Sequence, residues 1–403
     1  MIISHRSLLI PFAGALVLLA VVIGCDALLT APTPAGDVFD APLEGLSTDQ
    51  LAAFARGDEA FSHLFGTVEG LGPIFNQPSC ERCHAGDGRG NPRTILIRFG
   101  RTAGPITDPI LSEGGPQLQD HSIPGVQPEV LPAGVAESPR TGPPIFGIGL
   151  IEAIQDSEIL KYEDPLDLDG DGISGKANRV AAPDYVGGGT GHLGRFGRKA
   201  GVAFLLQQVV NAYHQDIGIT TDFLPIENGH PQSGGVVRDD AADPELPASV
   251  VQDVVFYVRT LAPPARGERT SSVLRGETVF NEVGCASCHV PSMRTGPNPV
   301  GALAGKNVVL YSDLLLHDMG PDLADNLNEG SATGTEWRTA PLWGLRLVGE
   351  FLGGNPSYLH DGRASDLTQA IQFHKGEADS ARTRFFLRTT SDRQALLDFL
   401  GSL

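Results

Sequence analysis

Methionine is almost missing from this sequence. The 403 residues hold three (Met1, Met293 and Met319), together with two tryptophans and five cysteines. Basic runs are missing altogether and the formal net charge is −19. That excludes a nucleic-acid role, which would need clustered positive charge to meet phosphates. The acidic surface either attracts a basic protein partner or is simply solvated. Long hydrophobic runs are missing after residue 24, so nothing in the body of the chain reads as a membrane-spanning helix. What remains is ordinary for a globular protein: 41% hydrophobic and 19% charged residues. Glycine and proline together number 80 (50 + 30), about a fifth of the chain, which implies a loop-rich fold long enough for two or three domains.

The single long apolar run, Leu8 to Gly24, follows Arg6 and is expected to be a secretory signal. It ends in Val22-Ile23-Gly24-Cys25, which looks like a bacterial lipobox, with Cys25 as the lipidated mature N-terminus. A plain signal peptide and an uncleaved anchor are the alternatives, and all three export the rest. The expected location is the periplasm or cell surface, as a lipoprotein whose only membrane contact is the N-terminal lipid. The expected organisation is 1–25 signal, 26–45 tether, 46–265 first domain and 266–403 second domain. The boundary falls in the polar, proline-containing stretch 261–272.

With Cys25 set aside, the other four cysteines form two CxxCH strings, Cys80-Cys83-His84 and Cys285-Cys288-His289. A thioredoxin-like CxxC needs a βαβ context that neither string has. A zinc site needs four ligands, so the two strings, 205 residues apart (285 − 80), would have to merge. Covalent c-type haem fits both strings: each thiol bonds one vinyl group and the histidine lies beneath the iron. Five Cys and eleven His in 403 residues give about 0.002 such strings by chance. Two covalently bound haems c are therefore expected, with His84 and His289 as proximal ligands. Each string follows a similar amphipathic segment, RGDEAF at 56–61 and RGETVF at 275–280. This is an internal repeat of helix then CxxCH. The expected fold is mainly α: two cytochrome c-like helical haem domains with long loops and a large loop-rich insertion in the first.

The sixth ligand decides the chemistry, because Met raises a haem potential, His lowers it and an open position permits reaction. No methionine lies between His84 and the second CxxCH, which leaves His121, His192, His214, His230, a weaker ligand or nothing for the first haem. For the second haem, Met293 is too close to His289 to reach the other face. His317, Met319, His360 and His374 remain. A helix capped by Ser365 or Asp366 puts Leu367, Ala370, Ile371 and His374 on one face, which favours His374. The string Asp167-Leu168-Asp169-Gly170-Asp171-Gly172 reads as a calcium loop with Ile173 and Asn178 completing the pattern, although the last position lacks the usual glutamate.

The segments FNQPSCERCHAGDGRG, PPIFGIGLIEAI, DLDGDGISGKANRV, FGRKAGVAFLLQQ, YSDLLLHDMGPDLAD, EWRTAPLWGL and YLHDGRA resemble the di-haem oxidoreductase family, within the bacterial di-haem cytochrome c peroxidase superfamily. Some members carry the label thiol oxidoreductase, which no spare CxxC supports here. The resemblance implies an electron-transfer haem in the second domain, with its distal ligand fourteen residues past His360, at His374. The peroxidases usually have Met there, so His374 would lower that potential. It also implies a peroxidatic first haem, with Asp216 or His214 as distal acid or base, and calcium near the domain junction. The slot of the peroxidases' inter-haem tryptophan is taken by Arg198, so electron hopping there needs Phe196 or another ring. The expected function is an exported di-haem oxidoreductase. A small redox protein or the quinone pool would feed the second haem, and the first would reduce hydrogen peroxide or a similar small oxidant. The alternative is an electron carrier with both irons six-coordinate, the first closed by His121 or His214.

Overall fold

The computed structural model describes residues 38–90, 93–233 and 239–403. The signal segment, Cys25 and residues 26–37 lie outside them. Among the described residues no helix is long and apolar enough to cross a membrane.

Two helix pairs frame the molecule. Helix α1 (Thr48–Ser62) opens with a capping box: Ser47 Oγ accepts from Gln50 N, and Gln50 Oε1 accepts from Ser47 N. Helix α2 (Leu205–Ala212) runs into a π turn, Tyr213–Ile217. Helix α3 (Ala248–Thr260) buries Val251, Val254, Val255 and Val258 and packs across α1. In the second half, α4 (Ser271–Val283) is capped by Thr270, α5 (Leu367–Gln372) by Asp366 and α6 (Thr390–Leu400) by Thr389; α6 packs across α4.

The repeated RG…F segment explains why both pairs cross alike. Gly57 lies against the Asp253 carbonyl and Tyr257, and Gly276 against the Ala395 carbonyl and Phe399. A Cβ at either position would collide with backbone. The preceding arginines clamp the partner helices, Arg56 on Asp253 at 2.9 Å and Arg275 on Asp392 at 2.8 Å. Four residues beyond each glycine, Phe61 faces His84 and Phe280 faces His289, with ring centroids 6.2 and 6.4 Å apart.

Strands are few. β1 (Leu96–Ala103), β2 (Ile106–Asp108) and β3 (Ala136–Arg140) form an antiparallel sheet of order β2-β1-β3. β4 (Leu316–Asp318) pairs antiparallel with β5 (Glu336–Arg338), setting His317 opposite Trp337. The other strands are two residues long. Helix of all kinds accounts for about 36% of the structure and strand for about 14%. The expectation of a mainly α fold with long loops holds in part: helices are the largest regular element, and loops make up half the structure.

Two features bear on the expected domain layout. The described part of the tether is docked rather than free. Phe39 is 1% exposed, stacks on Phe146 and meets Phe351 at a tilt, and Leu43 N donates to Thr260 O. Residues 262–270 do lack regular structure, yet the largest hydrophobic core runs through that boundary. It joins Phe61, Leu150 and Tyr257 to Met293, Leu310, Trp343 and Leu347. A buried ion network also ties the halves. Lys199 Nζ, fully enclosed, donates to Asp325, Leu327 O and Thr333 O, and Arg140 reaches both Asp325 and Glu329. Leaving one of these charges unpaired inside would cost about 3–5 kcal/mol.

Candidate haem sites

The second CxxCH opens onto a cavity with about 1920 Å³ of empty space, part of it open to solvent. Cys285, Cys288, His289, Met319, His360 and His374 all line it. His289 Nδ1 donates to Tyr311 O at 2.9 Å, and His374 Nδ1 donates to Ala370 O at 2.7 Å. A carbonyl only accepts, so both rings carry the proton on Nδ1 and leave the Nε2 lone pair for a metal. Burial lowers both rings, His289 to about 4, so each stays neutral as a ligand must. His374 lies close enough for its charge to lower His289 further. Asp366 does cap the helix, as expected, but the helix stops at Gln372 and His374 sits two residues beyond its end.

His317, the second choice for this iron, is otherwise engaged. Nε2 meets Asp313 Oδ2 and Nδ1 meets Glu377 Oε2, each at 2.8 Å, and the two carboxylates hold the ring well above its ordinary pKa despite burial. No nitrogen remains for iron. The same fact speaks against zinc at Cys288, Asp313 and His317, whose donor atoms cluster within 4.8 Å. Zinc needs a thiolate and a neutral imidazole, whereas burial pushes Cys288 up and His317 is held protonated. Met319 lines the cavity beside it. His360 stacks on Trp337 at 3.7 Å and 13°, and burial lowers it to about 3.

The first CxxCH sits in a short helical turn, Cys80–Cys83, capped by Ser79. His84 Nδ1 donates to Gly88 O at 3.3 Å, which again frees Nε2, and burial lowers the ring to about 4. Burial pushes Cys83 up to about 12, with help from the charges of Asp216 and Asp120. No disulfide joins any of the four described cysteines. Beside this motif the structure places Asp216, not an imidazole. Gln117 Nε2 donates to Asp216 Oδ1 at 2.6 Å and to Asn76 Oδ1 at 3.0 Å, and burial raises Asp216 to about 6. Arg98 acts on Asp216 from the other side and reaches Gln215 at 3.5 Å.

The other candidates for this iron have these partners. His214 meets Ile226 O at 3.0 Å, His192 meets Gly188 O at 2.8 Å and His230 meets Gln127 O at 2.7 Å. His121 is half exposed, bonded to Asp120 and stacked on Phe75.

The cavity calls for an anion as well as an apolar body. Arg89, Arg198 and Arg338 line it, and Arg89 Nε is buried without a partner. Arg198 is held well below its usual pKa by burial and by Arg89, Arg338 and Arg140. Guanidinium groups crowded together around an empty apolar space fit the two carboxylates of a haem. Isolated arginines give no sequence signal of this, and neither does Gln117. Trp337 and Trp343 also line the cavity, so rings do stand in the region where Arg198 fills the tryptophan slot.

The acidic loop lies where the halves meet, since Ser174 donates through N and Oγ to Glu377. Asp167, Asp169 and Asp171 bring oxygens within 4.8 Å of one another. Ile173 follows them, its N–H held by Asp171 Oδ1. Asn178 is a correction: it is 1% exposed, donates to Lys199 O and Glu329 O and accepts from Ser331, so it braces the core instead of closing the loop.

No curated protein matches this sequence. Two solved structures align over nearly the whole chain. Kuenenia stuttgartiensis hydrazine synthase, pressurised with 20 bar xenon, does so at 15% identity and a TM-score of 0.38, covering 99% of this chain and 100% of that one. A MauG-like protein associated with microbial copper homeostasis does so at 13% identity and a TM-score of 0.38, covering 93% and 95%. The profile of the family described as "Di-haem oxidoreductase, putative peroxidase" matches residues 118–403, taking in the second CxxCH, His374 and Asp216, and the chain belongs to that family of di-haem redox proteins.

Proposed function

We propose that the protein is an exported c-type di-haem oxidoreductase that reduces hydrogen peroxide or a similar small oxidant at its first CxxCH. Electrons enter at the second from a small redox protein or the quinone pool. The observation that carries this reading is the unequal surroundings of the two motifs. His374 offers a free, neutral Nε2 to the second site, whereas the group beside the first is an acid near pKa 6. Cys80, Cys83, Cys285 and Cys288 would hold the macrocycles, His84 and His289 would be proximal ligands, and His374 would be the second axial ligand of the second haem. When bound, the haems supply the electron storage and the oxidant-binding metal. Each of the two cytochrome c-like units then consists of a helix pair and its CxxCH, with residues 93–247 as the insertion of the first.

The chain's own residues manage protons. Reducing one peroxide to two waters takes two electrons and two protons. Asp216, protonated over part of the neutral range and oriented by Gln117, is placed to donate and regain a proton beside Cys83. Arg98 offsets the charge it then carries. Arg89, Arg198 and Arg338 anchor carboxylates and neutralise their charge in a poorly solvated cavity. Residues 1–25 serve export, Cys25 carries the lipid, and Asp167, Asp169 and Asp171 bind calcium with the Ile173 carbonyl.

An EPR spectrum of the haem-loaded ferric protein tests the central claim. One high-spin and one low-spin bis-histidine signal are expected, followed by rapid oxidation of the reduced protein on mixing with peroxide. Two low-spin bis-histidine signals with no peroxide reaction would leave an electron carrier instead.

A further inference from the structure

A second group of carboxylates lies apart from the acidic loop and both CxxCH motifs. Glu227, Asp243 and Glu245 bring one oxygen each to within 4.8 Å of one another. Asp239 stands beside them, its charge acting on both Glu227 and Glu245. Each carboxylate has one oxygen anchored. Glu227 Oε1 accepts from Asn228 N at 3.0 Å, Asp239 Oδ1 accepts from Ala241 N at 2.9 Å, and Asp243 Oδ1 accepts from Thr220 Oγ1 at 2.7 Å. Glu245 Oε2 accepts from the Thr220 N–H and shares the single Thr220 hydroxyl proton with Asp243. The opposite oxygens are another matter. Asp239 Oδ2 and Glu245 Oε1 are buried with no hydrogen-bond partner, and the Asp239 residue is only 8% exposed.

An unpartnered carboxylate oxygen in the interior is costly, and two of them in one group of carboxylates are costlier still. The charges acting most on Glu227 and Glu245 are other carboxylates, and among the described residues no cation acts on either. The donors are all oxygen, all anionic, and held by hydrogen bonds to their far oxygens, which is how outer contacts orient metal ligands. Hard oxygen donors with no nitrogen or sulfur select Ca²⁺ or Mg²⁺, and an irregular set of several carboxylates suits the larger, more tolerant Ca²⁺. We propose that Glu227, Asp239, Asp243 and Glu245 form a calcium site separate from the Asp167–Asp171 loop.

Its position gives it a role. Asn228, beside Glu227, donates Nδ2 to His214 O at 3.2 Å, and His214 Nε2 meets Ile226 O. His214 and Asp216 share the π turn Tyr213–Ile217. A cation drawing Glu227 toward Glu245 therefore pins the 219–233 loop against the turn that carries Asp216. The site itself stands on its own donor set, whether or not the peroxide reading above holds.

The haem-loaded full-length protein, stripped with EDTA, is titrated with calcium chloride and followed by hydrogen exchange and calorimetry. Residues 219–246 are expected to gain protection on calcium addition. The double variant Asp243→Asn/Glu245→Gln is expected to lose one calcium equivalent and that protection. The loop variant Asp169→Asn/Asp171→Asn is expected to lose only the loop's own calcium equivalent and to keep the protection at 219–246. Wild-type protein that gains no protection at 219–246 overturns the proposal, a readout that needs no variant to fold. A double variant that binds as many calcium ions as the wild type overturns it too; the carboxyls then share protons instead of a metal.

Discussion

At the first CxxCH, helices α1 and α3 press Phe61 onto His84; at the second, α4 and α6 press Phe280 onto His289. The ring separations are 6.2 and 6.4 Å, and a glycine sits at each helix crossing. Beyond those frames the two motifs diverge. The second faces His374, delivered from just past α5 with Nε2 unengaged. Beside the first, near Cys83, lies Asp216, delivered by a π turn and bonded to Gln117. The frame is a local property of each repeat, so it recurs. The titratable group brought to each motif comes from chain far away in sequence, so it differs. One scaffold can thus hold two similar groups in unlike chemical states.

The largest expected effect tests the equivalence of the frames. Cys80→Ser/Cys83→Ser and Cys285→Ser/Cys288→Ser should each remove one haem from the mass of the purified protein and leave the other. Loss of both from either variant would show that the motifs are not independent attachment sites.

Asp216→Asn tests the divergence. It should lower peroxide turnover about 10²- to 10⁴-fold with the second haem's spectrum unchanged. In the wild type the folded pKa of about 6 lies above the ordinary carboxylate value. The protonated donor therefore predominates below pH 6, and turnover should fall as pH rises through that value; the variant should lose this limb. The stability sign is the same. The contribution of a raised carboxyl is present at low pH and is lost as pH rises through the folded pKa. Asn at 216 should therefore gain up to about 3 kcal/mol on the wild type between pH 3 and pH 8. A turnover limb near pH 6 that survives the substitution would assign the proton to another group.

His374→Met should raise the potential of the second haem alone, read by spectroelectrochemistry. An unchanged potential would remove His374 from that iron.

The glycine crossings come next. Gly57→Ala and Gly276→Ala should each cost about 1–3 kcal/mol by overpacking, read as denaturant midpoints, and the two costs should be similar. A large inequality would break the equivalence of the helix pairs. The exposed clamps should matter least: Arg56→Ala and Arg275→Ala should leave the melting temperature within error, because solvent and salt screen such pairs.

The CxxCH spacing, the RG…F repeat and the cap at Asp366 could be read along the chain because each acts over a few residues, within a turn or two of helix. The helix face favoured His374, but what rules out His317 could not be read: only folding shows that Asp313 and Glu377 take both nitrogens of His317. Asn178 fits a calcium loop by position, yet the approach of Lys199, Glu329 and Ser331 commits it to the core. Residues 38–45 look like a polar tether, but the Phe39 ring finds Phe146 and Phe351.

The sequence by itself determined which atoms can bond a macrocycle, since two thiols and an imidazole at fixed spacing are a covalent fact that no fold alters. Only the tertiary structure decided what faces each motif. That depends on groups brought together from tens to more than a hundred residues apart, and on burial, which sets whether a side chain is neutral, charged or already bonded.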